Sequence, residues 1–272
     1  MMTTPICDFV REYIKTNAVR LHMPAHKGLP FLGFEAFDIT EINGADSLYE
    51  ASGIIAESES NATALFGTRH TYYSAEGSSL AIKAMLALIK KKAPARRARV
   101  LAARNVHRSF VSATVLLDFD IEWLYSKESE SIISCEVTGE ALDRRLSEMK
   151  EKPIAFYITS PDYLGNTADI AALSEVCKRH GVLFLCDNAH GAYLNFLPES
   201  KHPIALGADM CCDSAHKTLP VLTGGAYLHV SPKAPEAYAE NARKLLSLFA
   251  STSPSYLILQ SLDLCNAYIA DG

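Results

Sequence analysis

Asp209–Tyr227 reads Asp-Met-Cys-Cys-Asp-Ser-Ala-His-Lys-Thr-Leu-Pro-Val-Leu-Thr-Gly-Gly-Ala-Tyr. Met210 to Cys212 is a short apolar run of the kind that forms a buried strand. Ser214-Ala215-His216-Lys217-Thr218 follows at once, then Pro220 and the pair Gly224-Gly225. An amine held at a strand end and partly desolvated loses basicity, and in its neutral form it attacks carbonyl carbons. Ser214 and His216 flank the lysine as donors suited to an anion. Glycines at 224 and 225 let the backbone approach a bulky ligand. A lysine in a surface turn is the common alternative, so the stretch needs a partner elsewhere in the chain.

Leu183-Phe184-Leu185-Cys186-Asp187-Asn188-Ala189-His190-Gly191-Ala192 provides one. An apolar strand ends there in an aspartate, about 30 residues before Lys217. One lysine to form a Schiff base, and one acid to keep a pyridinium nitrogen protonated, is the pairing expected of a pyridoxal-phosphate enzyme. Upstream, Gly77-Ser78-Ser79 opens the apolar run Leu80 to Ile89, which is hydrophobic nearly all round and reads as a buried helix. Free N–H groups, two hydroxyls and the positive end of the helix dipole converge at such a start, which suits a phosphate. An ordinary serine cap is the alternative for this turn taken alone.

Working outward, strands and helices alternate. Val100–Ala102, Ile121–Leu124, Ile154–Thr159, Val182–Cys186 and Met210–Cys212 read as strands. Ser109–Leu117, Glu140–Lys150 and Asp169–His180 read as helices between them, the last stopped by Gly181. That alternation predicts an α/β fold with a mostly parallel sheet covered on both faces. Ligands of such sheets sit at the carboxyl ends of the strands. His107, Ser160, Asp187 and Ser214–Lys217 all follow predicted strands, so one crevice can hold them. Ala226–Val230 is a further strand, and helices are predicted over 1–20, 57–65, 235–249 and 257–269.

These pieces resemble the Orn/Lys/Arg decarboxylase family of fold-type-I pyridoxal-phosphate enzymes. The matching motifs are His22-Met23-Pro24-Ala25-His26-Lys27-Gly28, Asp38-Ile39-Thr40-Glu41, Phe66-Gly67, Arg104-Asn105-Val106-His107-Arg108-Ser109, Asp187-Asn188-Ala189-His190-Gly191-Ala192, Ser214-Ala215-His216-Lys217-Thr218-Leu219 and Thr252-Ser253-Pro254-Ser255-Tyr256, in the family's order. The resemblance implies the three-layer large domain of a PLP-transferase over residues 36–250. It also implies an N-terminal arm over 1–35 that packs on a dimer partner. Residues 251–272 would begin the crossover helix toward a C-terminal small domain, apparently absent from this chain. It implies decarboxylation of lysine, arginine or ornithine to a di- or polyamine. Lys217 would form the Schiff base, and Asp187 would hold the ring nitrogen protonated and itself stay ionised through that ion pair. His107 would stack on one ring face and Ala189 would cover the other. Gly77, Ser78, Ser79, Ser214 and His216 would hold the phosphate, and His190 would support Asp187 or contact substrate. Lys217 or His190 would return a proton to Cα. A homodimer with shared sites is implied, with Thr252–Tyr256 reaching into the partner.

Two departures stand out. Glu76 precedes the glycine where the family more often has asparagine, and a carboxylate there must point away from a phosphate. Asn188 replaces the glutamate of the usual Asp-Glu-Ala-His. Lys27 is the rival lysine, in a motif with no strand before it and no glycine pair after it. Aldol cleavage and transamination would use the same cofactor residues, and a truncated non-catalytic relative that dimerises and binds cofactor weakly is the non-enzyme alternative.

Bulk properties exclude other classes. With 272 residues, 49% of them hydrophobic and 21% charged, the chain has the make-up of a soluble globular protein. A net charge of −5 gives no reason to expect nucleic acid. No apolar run approaches the roughly 20 residues of a membrane span, and the N-terminus lacks the pattern of a signal peptide. Seven cysteines without a Cys-x-x-Cys read as reduced, buried, cytoplasmic thiols. Cys186, Asp187, His190, Cys211, Cys212 and His216 match no zinc spacing, and vicinal strand cysteines point to opposite faces, so no metal is expected. No Gly-x-Gly-x-x-Gly points to a dinucleotide.

Overall fold

The computed structural model describes residues 2–93, 98–126, 133–134 and 136–272. The basic stretch Lys90–Arg99 is described except at 94–97, and Cys135 also lies outside the described residues.

Strands β1 (His70–Ser74), β2 (Ala98–Ala103), β3 (Phe119–Leu124), β4 (Ala155–Thr159), β5 (Leu183–Asp187), β6 (Met210–Asp213) and β7 (Ala226–Val230) form one sheet in the order β1-β7-β6-β5-β4-β2-β3. β3, β2, β4, β5 and β6 run parallel, and β7 is antiparallel to both β6 and β1. β1 therefore points the same way as β6, and its carboxyl end joins the same edge of the sheet. This strand was not among those expected: His-Thr-Tyr-Tyr-Ser shows no alternation, because four of its five residues are buried on one face or the other.

The helices are α1 (Pro5–Lys15), α2 (Ile54–Phe66), α3 (Gly77–Lys92), α4 (Arg108–Leu116), α5 (Gly139–Glu148), α6 (Ile170–His180), α7 (Ala215–Thr218), α8 (Glu236–Phe249) and α9 (Tyr256–Ala270). One sheet face packs α3, α4 and α8 through Val100, Ala102, Tyr157, Leu185, Met210 and Cys212. The other packs α5 and α6 through Leu101, Phe156, Ile158, Phe184, Cys186 and Cys211. Farther along, α1, α2 and α9 cover Tyr73 and Tyr227 on that same face. Strict alternation thus sends Cys211 and Cys212 into different cores, as vicinal strand residues must go. The three-layer α/β expectation holds. The six described cysteines are free and buried. Among the described residues no helix is long and apolar enough to cross a membrane.

Candidate active site

β2, β4, β5 and β6 all end at one edge of the sheet, and each hands the chain to a loop or helix carrying one of the singled-out side chains. The turn after β1 joins them. The order of the strands reverses between β2 and β4, and the crevice of an open α/β sheet opens at such a point.

Asp187 closes β5 and is 1% exposed. Its Oδ1 accepts the Ala189 N–H at 3.2 Å and the Cys212 thiol at 3.6 Å. Among the described residues no lysine, arginine or histidine makes an ion pair with it. Burial pushes its carboxyl up, more than the Ala189 N–H and the nearby His107 and Lys217 pull it down. A buried acid without a cation favours its proton, so the ionised form expected of Asp187 depends on the ion pair with a ring nitrogen.

Lys217 sits in the single turn α7 directly after β6, with its amine 3.1 Å from His190 Nε2. Burial first, then the charge of Lys217, lowers the pKa of His190, so the neutral ring accepts an N–H from the amine. The Tyr163 ring meets the His190 ring edge-on at 5.0 Å. His107 caps α4, its Nδ1 accepting the Ser109 N–H at 3.2 Å. Burial chiefly depresses its pKa, with Asp187 opposing and Lys217 and Arg108 assisting. A flat, neutral imidazole therefore stands at the end of β2.

The hydroxyls converge as the sequence suggests. Ser214 Oγ donates to Ser78 Oγ at 2.8 Å across the gap between α7 and α3. Ser79 and Ser109 share a hydrogen bond of 2.7 Å, and Ser109 reaches His107 Nδ1 at 2.9 Å. Gly77 holds φ +71° at the start of α3, and its N–H donates to Gly224 O at 2.7 Å. His216 donates Nδ1–H to Gly225 O at 3.0 Å, which leaves only Nε2 to face an anion. A neutral ring presents a lone pair there, so contact with phosphate needs the imidazolium.

Other residues find different roles. Glu76 turns away from the serines and accepts the Ser251 N–H at 2.6 Å. Gly224 does not serve ligand approach: a Cβ there would stand 2.9 Å from the Ala75 carbonyl oxygen, and φ is +102°. At Gly225 a Cβ would collide with the Val221 side chain, so both glycines serve packing of this chain on itself. Lys27 lies outside the crevice and donates to His22 O at 2.6 Å. Asn188 is fully buried and points into the core, donating to Asp213 Oδ1 at 2.7 Å. Asp213, His202 and His229 make a buried polar cluster behind the site that the sequence reading missed. His202 and His229 stand 11 and 16 positions from Asp213, in no motif, and only the β6–β7 pairing and the loop before β6 bring them together.

Comparison with known proteins places the chain in a family and a fold. Residues 4–272 match the family described as Orn/Lys/Arg decarboxylase, major domain. An arginine decarboxylase from Halalkalibacterium halodurans is 31% identical over 281 aligned positions, which cover 98% of this chain and 55% of the relative. One from Bacillus cereus is 30% identical, covering 98% of this chain and 59% of the relative. This chain thus spans a little over half the length of these curated relatives. A lysine decarboxylase from Francisella novicida superposes with a TM-score of 0.81 at 19% identity, over 98% of this chain and 40% of that one. The constitutive lysine decarboxylase of E. coli gives 0.76 at 20% identity, again over 98% and 40%. At such identities the likeness is one of fold.

Proposed function

Because the chain belongs to the Orn/Lys/Arg decarboxylase family, we propose that it forms the catalytic core of an enzyme that releases the α-carboxyl group of lysine, arginine or ornithine as CO₂, leaving a di- or polyamine. Pyridoxal phosphate is the family's cofactor. When bound, it supplies a protonated pyridine ring that accepts the electron pair left behind by the departing carboxyl group.

One observation carries the reading: Asp187 is a buried carboxyl at the floor of the crevice, with no ion-pair partner among the described residues. A pyridinium N–H is the partner its surroundings lack, and that positive charge would draw the carboxyl back to its ionised form. The remaining residues fit the same group. Ser78, Ser79 and Ser214, with the N–H groups of the first turn of α3 after Gly77, whose own N–H is taken by Gly224 O, would make a cradle for a phosphate dianion. His107 offers a neutral ring face for stacking, and Ala189 a small apolar surface opposite. Lys217 is the residue that would hold the cofactor's aldehyde carbon. Its Nζ and the Nε2 of His190 lie one hydrogen bond apart and can pass a proton between them. Such a pair supports the reading in which one of the two returns a proton to the product carbon. The enzyme is proposed to work as a cytoplasmic homodimer. Of the arm expected over 1–35, α1 packs on its own chain through Ile6 and Val10, and Tyr256 is buried in the same core; the exposed segment after α1 and Thr252–Ser255 are what remain to meet the partner.

The test is an absorbance spectrum of the protein with added pyridoxal phosphate, beside Lys217→Ala, followed by borohydride trapping and peptide mapping. The proposal expects a visible band, an adduct confined to the Lys217 peptide, and CO₂ from one of the three basic amino acids. Label scattered over surface lysines would point to the non-catalytic alternative. Keto-acid production or aldol cleavage instead of CO₂ would reassign the reaction while keeping the site.

A further inference from the structure

Asp213, the last residue of β6, is fully buried together with His202, His229, Asn188 and Cys211, and the chemistry above uses none of them. Asp213 Oδ2 accepts from His202 Nε2 at 3.0 Å and from His229 Nε2 at 3.1 Å. Its Oδ1 accepts from Asn188 Nδ2 at 2.7 Å. The outer nitrogens are also occupied: His229 Nδ1 meets the Thr71 hydroxyl at 2.9 Å, and the Ile204 N–H faces His202 Nδ1 at 3.4 Å. The Phe66 ring lies 5.4 Å from His202 and 4.5 Å from His229, which closes the cluster to water.

Ligand atoms of His202, Cys211, Asp213 and His229 lie within 4.8 Å of one another, so a metal ion must be weighed against hydrogen bonding. The geometry favours hydrogen bonding. Both N···O separations are those of N–H···O bonds. The Ile204 N–H on Nδ1 puts the His202 proton on Nε2, leaving no lone pair where an ion would sit. Burial drives the Cys211 thiol far above its ordinary range, away from the thiolate that metals bind. Three donors satisfy the carboxylate without an ion.

We propose that Asp213 is a positioning residue of the active site, locking the turn after β5 to the end of β6. The proposal rests on the cofactor reading above. Asn188 is the link. Its side chain is held by Asp213, its N–H donates to Cys212 O at 2.9 Å, and its carbonyl accepts the Gly191 N–H at 2.8 Å. On one side of Asn188, the Ala189 N–H reaches Asp187 Oδ1; two residues along, His190 reaches the Lys217 amine. Asp213 itself is followed directly by Ser214, which bonds Ser78. One carboxylate thus sets the ring-nitrogen acid, the proton-transfer pair and the phosphate cradle in mutual register. It also explains the amide at 188: an acid there would set a second buried carboxylate against the first.

A reciprocal exchange tests this. Asn188→Asp opposes two carboxylates, and Asn188→Ala deletes the link without adding charge. The double variant Asn188→Asp with Asp213→Asn restores the bond with its polarity reversed, the amide oxygen at position 213 still accepting from both imidazoles. Each single variant is expected to weaken pyridoxal-phosphate binding about 10- to 100-fold, and the double variant to recover to within about 3-fold of wild type. Singles that bind cofactor as wild type and only melt earlier would overturn the proposal, as would a double no better than Asn188→Asp. Histidine-selective ¹⁵N NMR gives a readout independent of cofactor. The wild type should show Nε2–H protons on His202 and His229, and the His190 signal should move in Asn188→Asp and return in the double. A His190 signal indifferent to residue 188 would reject the positioning role even if the chain binds no cofactor at all. Equimolar zinc in the purified protein by elemental analysis would also reject it, in favour of a metal centre.

Discussion

Asp187 is a buried carboxyl at the end of β5. A carboxyl buried at a strand end without a cation costs free energy to ionise, and its pKa is raised for that reason. A raised carboxyl contributes stability that is present at low pH and lost as pH rises through its folded value. Asp187→Asn removes that loss. The variant should melt higher than wild type at neutral pH when no cofactor is present, and gain less from added pyridoxal phosphate. Thermal melts with and without cofactor check both signs. A variant that melts lower without cofactor would mean that Asp187 already has a cation partner. At Lys217 and His190 the neighbouring positive charge helps burial keep the imidazole neutral. Lys217→Ala should therefore raise the His190 pKa, measurable by NMR titration. An unchanged value would show that burial alone sets it.

Among the elements, α3 and α9 carry the most. α3 is buried on nearly every side, with Ile82, Met85 and Leu86 fully enclosed, and it must keep its N-terminus aimed at the crevice. Leu86→Ala leaves a cavity that rigid neighbours cannot fill and should cost about 2–5 kcal/mol in urea unfolding. α9 is anchored differently. Asp263 accepts the Cys7 N–H at 3.0 Å and the Ser58 hydroxyl at 2.6 Å, tying α9 to α1 and α2. Burial raises its carboxyl to about 6, more than the hydrogen bonds from Ser58 and Cys7 lower it. Its contribution is therefore full below about pH 4 and is lost as pH climbs past 6, a difference of about 3 kcal/mol for a rise of that size. Asp263→Asn should flatten that slope between pH 4 and 7. Denaturant midpoints across the range measure it, and an unaltered slope would assign the dependence to another group.

At the scale of the molecule, the segment between α1 and α2 is the odd one. Val19, Leu21, Leu29 and Phe31 are 85%, 88%, 70% and 89% exposed. So much apolar surface in one segment suits a partner rather than water. The proposed homodimer would cover it. Phe31→Asp together with Leu29→Asp should shift sedimentation from dimer to monomer and reduce cofactor binding, since shared sites come apart with the subunits. A wild type that sediments as a monomer would remove the dimer from the proposal.

The sequence by itself determined the α/β alternation, because strands buried on both faces must be apolar runs and the helices between them need an apolar stripe. It also set out the crevice, because Asp187, His107, Ser78, Ser79 and Lys217 each lie beside a recognisable strand end or helix start. What it could not contain was pairing at a distance. β1 shows no alternation, and only its antiparallel bond to β7 makes it a strand whose end meets the others. Gly224 and Gly225 look like room for a ligand until their neighbours are known. Asn188 looks like a lost charge beside the substrate until its amide is seen on Asp213. Local pattern reports which face of an element is buried. Which side chains meet across the core depends on how the elements pack, and here that packing decided the Asp213 cluster and the direction in which Glu76 turns.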